Sequence, residues 1–101
     1  MSEHDEAAIR QLTGFTNPVL IMEVSYQMQY LVVGPATDTN GGADNGSCPL
    51  TVIEMARYAK PGDEPGTMPP PTYTQIGVVQ PGKKQLTAAT RMIEFHIAAN
   101  I

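Results

Sequence analysis

Fifteen residues, Val19 to Val33 (VLIMEVSYQMQYLVV), constrain this chain more than any other stretch. Within them Val24, Tyr26, Met28 and Tyr30 alternate with Glu23, Ser25, Gln27 and Gln29. A period of two sorts these sets onto opposite faces of an extended strand, whereas a helix would scatter both around its circumference. The apolar ends, 19–22 and 31–33, fit a strand covered on both faces. At roughly 3.3 Å per residue the run would be about 50 Å long if straight. A folded chain of this size has a radius of gyration of about 13 Å. The strand is therefore expected to bend, to break at a bulge, or to project into a neighbouring molecule.

The remainder of the 101 residues is read around that strand. Residues 3–13 carry the narrow apolar stripe Ala8, Ile9 and Leu12, with carboxylates in the first turn, Ser2 or Asp5 as cap, and Gly14 placed to close a short helix. A helix this short is marginal alone and must pack on something. Residues 50–60 (LTVIEMARYAK) carry mixed signals: Thr51, Glu54, Arg57 and Lys60 recur every three residues and Ser47 is placed to cap a helix opening near Pro49, whereas Val52, Ile53 and Tyr58 favour a strand, to which the β flanks lean slightly. Pro61 to Pro71 holds five prolines and two glycines and reads as a loop with polyproline II character. Residues 72–80 read as a strand and Pro81-Gly82 as a turn. In 86–99, Ile93, Phe95 and Ile97 alternate with Met92, Glu94 and His96, which predicts a hairpin partner for 72–80; a helix built on Leu86, Ala89, Ile93 and Ile97 is the second reading. The expected fold is mainly β with a minor α part: a small antiparallel sandwich or partly open barrel with a short N-terminal helix. An N-terminal helical arm (1–17) precedes one β-rich domain (18–101).

Composition narrows the function classes. Net charge is −4, and Lys83-Lys84 is the one basic pair, so nucleic acid is not an expected partner. The acidic N-terminus lacks the apolar core of a secretion signal, and no run approaches the roughly 18 apolar residues of a membrane span. A cytoplasmic or virion location is therefore expected, without membrane association. One cysteine, Cys48, leaves no intrachain disulfide. Charged residues are 16% of the chain against a typical value of roughly 25%, and Gly and Pro, nine each, exceed the usual share.

Chemistry-bearing patterns are sparse. The loop 36–47 contains Asp38, Asn40, Gly41, Gly42 and Asp44, but as an EF-hand it would place Gly42, Ala43 and Pro49 at positions 5, 6 and 12, where calcium needs a ligand, glycine and glutamate. Turns capped by Asp and Asn side chains explain it better. Cys48 with His4 or His96 is the one combination able to form a thiol nucleophile and imidazole base, and nothing in the spacing joins them. Nor does anything bring Glu23 and Glu94 together as a carboxylate pair. Two histidines and one cysteine, far apart, make no metal site, and no cofactor is expected. Pro70-Pro71-Thr72-Tyr73 matches the PPxY pattern of WW-domain ligands, but Tyr73 sits where a strand should begin.

The leading expectation is a structural protein acting through protein–protein contacts, in a homo-oligomer or a larger assembly. Its profile of low charge, uncharged polar surface and long Gly/Pro loops resembles in style the accessory structural proteins of virions, such as capsid-decorating or tail-associated subunits of bacteriophages; no specific motif carries that likeness. Candidate interface residues are Ile9, Leu12 and Phe15 from the arm and Val24, Tyr26, Met28 and Tyr30 from the strand. Were that strand at a sheet edge, its single charge, Glu23, would leave it open to pairing with another chain. The alternatives are a small phage-type inhibitor or binding module acting on a host protein, and a small enzyme or ligand-binding barrel using Cys48 or the carboxylates.

Overall fold

The computed structural model describes residues 3–26, 28–36 and 46–100. The order of elements is α1 (Glu3–Thr13), β1 (Pro18–Ser25), β2 (Gln29–Pro35), β3 (Leu50–Ala56), β4 (Thr72–Val79) and α2 (Gln85–Ala99). The strands form one antiparallel sheet in sequential order, β1-β2-β3-β4, with β1 and β4 at its edges. The protein is thus mainly β with a short N-terminal helix. Its sheet is single and not closed into a barrel, and helices cover its two faces.

The long apolar run resolves into a hairpin. Ser25 pairs with Gln29, Val24 with Tyr30 and Leu20 with Val33, so the chain reverses between Ser25 and Gln29 and keeps its excess length within the molecule. This corrects the continuous strand expected over 19–33. Nothing in Tyr26-Gln27-Met28 marks a turn, and alternation continues in register through it, because Val24 and Tyr30 become cross-strand partners on one face. A bulge at Ile21 interrupts β1, where the register shifts between Leu20 and Met22. A second bulge occupies the other edge: Val52 pairs with Gly77 but Ile53 with Gln75, which leaves Ile76 in β4 as the extra residue. Each bulge breaks the row of backbone groups that an edge presents.

The second correction concerns 86–99, which form a helix rather than a strand. Gln85, Ala89 and Ile93 are buried at a spacing of four, while Phe95 is 76% exposed. Strand alternation would have buried Phe95 alongside Ile93. The segment is also rich in good helix formers, including four alanines, Leu86, Arg91, Met92 and Glu94. Pro81-Gly82 therefore leads into a helix instead of a hairpin partner. Residues 50–56, by contrast, form a strand as expected, and the polyproline segment is a loop.

Alternation through the central strands divides the core. Tyr30, Val32, Leu50 and Val52 pack with Ala89 and Ile93 of α2. Leu31, Val33 and Ile53 pack with Ile9 of α1 on the opposite face, joined by Leu20, Phe15 and Tyr73. Helix α1 touches both outer strands, so it lies across the sheet. At about 1.5 Å per residue it is roughly 16 Å long, close to the width of four strands about 4.8 Å apart. Gly14, at φ 79°, ends it by donating from its N–H to the Arg10 carbonyl at 2.8 Å, as the sequence indicated. Between β3 and β4, Lys60-Pro61-Gly62-Asp63 and Glu64-Pro65-Gly66-Thr67 form two successive turns. In each the glycine has positive φ and the fourth N–H donates to the first carbonyl, as a type II turn requires.

Candidate functional site

A polar cluster sits on the α2 side of the sheet, formed by Tyr30, Glu54 and His96. The register makes Tyr30 of β2 and Glu54 of β3 direct partners, so both side chains rise from one face. His96 follows the buried Ile93 by three residues, on the side of α2 turned to the sheet. Tyr30 Oη donates to Glu54 Oε2 at 3.1 Å, and His96 Nε2 lies 2.8 Å from the same oxygen. The Tyr30 and His96 rings meet edge to face, with centroids 6.0 Å apart. Burial raises the pKa of the Tyr30 phenol above its ordinary value, and the hydrogen bond and charge of Glu54 push it in the same direction. Tyr30 is 3% exposed, whereas the Glu54 and His96 side chains are 15% and 30% exposed.

The cluster opens into a recess of about 430 Å³ that is also lined by Met28, Tyr58, Ile97 and Asn100. Chemically it is a carboxylate with one oxygen doubly engaged, an imidazole within proton-transfer distance, and aromatic and thioether walls. Among the described residues no group of three or more His, Cys, Asp or Glu side chains could hold a metal ion.

The combinations raised from sequence are not assembled here. Cys48 is half-buried beside the core near the start of α2, where its carbonyl accepts a hydrogen bond from Gln85 Nε2. His96 lies eleven residues further along that helix, about 16 Å at 1.5 Å per residue, so thiol and imidazole are kept apart. The side chain of His4 and the loop residues 37–45, where an ion was considered, lie outside the described residues. Glu23 is exposed and bonded to Gln29 across the hairpin, and Glu94 faces outward on α2. Tyr73 belongs to β4, and its hydroxyl is buried with no partner among the described residues.

Of the interface candidates, Ile9 and Tyr30 lie in the chain's own core. Phe15, Val24 and Met28 are half-buried against it, Leu12 is 36% exposed, and Tyr26 at the hairpin tip is 54% exposed. Sequence reasoning missed Glu54, misplaced His96 on a strand, and overlooked Phe95. A helical reading of 85–99 would have placed two of them, since the period that buries Ala89 and Ile93 turns His96 inward and Phe95 outward; Glu54, on β3, gave no such signal.

Outward from that helix, Phe95 stands with Arg91, Glu94 and Ala98 around a shallow, mainly apolar concavity. Among the described residues no helix is long and apolar enough to cross a membrane. Compared with known families, curated proteins and solved structures, the chain matches none.

Proposed function

We propose that this protein is a structural subunit that works through protein–protein contacts, first of all with a second copy of itself, in a cytoplasmic assembly or as an accessory protein of a virion. The hairpin removes the overlong strand as a reason for assembly. The observation that carries the reading is Phe95: a large aromatic ring 76% exposed on a regular helix whose opposite face is committed to the core. Aromatic residues and arginine are the types enriched at interface centres. The α2 surface is also self-complementary. Pairing two α2 helices antiparallel about a two-fold axis near residue 93 sets Arg91 of one copy over Phe95 and Glu94 of the other, and Ala88 opposite Ala98. Arginine against an aromatic face and a carboxylate is favourable on both counts, and facing alanines allow close approach.

A helix pair this short falls below the roughly 1,200 Å² of a stable standard interface, so association should depend on concentration. Sedimentation velocity across a wide concentration range tests it. A reversible dimer that Phe95→Asp abolishes, with an unchanged circular dichroism spectrum, is the expected result. A wild-type chain that remains monomeric at the highest concentration overturns self-assembly; a one-to-one complex of that monomer with a host protein would instead support the inhibitor alternative.

A further inference from the structure

We infer that the Tyr30–Glu54–His96 recess is a binding site for a primary alkylammonium group, carried either by a free small amine or by the lysine side chain of a polypeptide. The site is separate from the Phe95 surface and does not rest on it.

The argument begins with unequal use of the Glu54 carboxylate. Oε2 accepts from Tyr30 Oη and faces His96 Nε2, whereas Oε1 accepts from no described residue. Glu54 nevertheless lines the recess with a side chain only 15% exposed. Oε1 is not fully buried and meets the recess, where an incoming donor can reach it. The donor must be cationic to match the charge. A guanidinium pairs best through two parallel bonds to both oxygens, and one is already saturated. An ammonium is a point charge with three rotatable donors and needs one oxygen. The remaining lining fits the rest of such a ligand. Met28 and Ile97 offer an apolar wall for an alkyl stem, and the exposed Tyr58 ring supplies a face for the cation. The volume of about 430 Å³ accommodates a stem of four or five carbons, and nothing in it requires a flat or branched ligand.

The test is an NMR titration of the full chain with butylammonium, following the Met28 methyl and His96 ring signals. Saturable shifts of both signals are expected. Butan-1-ol should give no saturable shift, and butylguanidinium should bind more weakly than butylammonium. Glu54→Gln should weaken binding about tenfold or more, the usual result of losing one charge-assisted bond. If that variant does not fold, Tyr58→Ala, at an exposed position, should weaken binding severalfold. Lysine blocked at both ends as N-acetyl-lysine N-methylamide separates the sources: tighter binding than butylammonium assigns the site to a polypeptide lysine, and equal binding to a free amine. Equal shifts with the alcohol, tighter binding of the guanidinium, or undiminished affinity in folded Glu54→Gln or in Tyr58→Ala would each overturn the assignment.

Discussion

The two helices cover opposite faces of one sheet by different means. Helix α1 crosses it on Ile9, the one fully buried residue among those described in the helix; of its polar side chains, Arg10 pairs with Glu6 and donates to the Thr16 carbonyl just after the helix, and Thr13 Oγ1 bonds the Ile9 carbonyl. Helix α2 buries Gln85, Ala89 and Ile93 and is tied to the strands by polar bonds at both ends, through Gln85 to the Cys48 and Val79 carbonyls and through His96 to Glu54. An apolar contact alone holds a helix against a sheet; polar ties at two points also fix its rotation and its position along its axis. The first helix is therefore a cover, and the second is a placed element able to present a site.

The largest effect expected from this difference is at the buried isoleucines. Ile93→Ala should lower the unfolding free energy by about 2–5 kcal/mol, measured by urea denaturation. Ile9→Ala should cost less globally, because α1 can undock alone; its signature is faster amide exchange over residues 3–13 with a smaller change in the midpoint of the sheet. Equal shifts in both variants would mean that the helices form one cooperative unit.

A second test probes how closely α2 seats. A Cβ at Gly77 would run into Met92 Sδ, the far end of a flexible side chain that can shift aside, so Gly77→Ala should destabilise by about 1 kcal/mol or less. Combined with Met92→Ala, the penalties should fall short of additive, because the second change removes the obstacle. Additivity would show that Met92 does not set the spacing.

The polar tie has its own pH signature. Folding raises the Tyr30 pKa, so below the ordinary phenol value of 10.0 both states keep the proton and stability is unaffected. Above it the unfolded chain releases a proton that the folded chain retains, and stability falls as pH rises. Tyr30→Phe should flatten this alkaline decline in a pH series of thermal melts; an unchanged slope would place its origin elsewhere.

The smallest effect lies at the start of α2, where Lys84 occupies the cap position without a side-chain cap bond and no acidic residue stands in the first turn. Lys84→Asp should stabilise by about 0.5–1 kcal/mol, by supplying a cap and reversing the charge at the positive end of the helix.

The same contrast explains what could be read from the sequence. Helix α1 was legible because its signals are local: a stripe with Ile9 at its centre, carboxylates at its start and Gly14 at its end. Helix α2 was read only second because Met92 to Ile97 alternates over six residues, while the stripe Leu86, Ala89, Ile93 and Ile97 was blurred: Leu86 is exposed and its place in the buried row is taken by a polar residue, Gln85. The hairpin was concealed by Tyr26-Gln27-Met28, which lacks any turn residue; only the excess length of the run disclosed that it had to fold back or leave the molecule. Of the Tyr30–Glu54–His96 cluster, no two members are near in sequence. Their meeting depends on the β2–β3 register and on how α2 is laid down, neither of which composition or spacing can fix.

The paired irregularities at Ile21 and Ile76 carry a consequence for how this molecule behaves in a crowd. With a dislocation in each outermost strand, neither margin offers an unbroken template, and a stack of copies growing rung upon rung would meet a mismatch at every junction. Runaway growth from the margins of the sheet is thereby hindered on both sides.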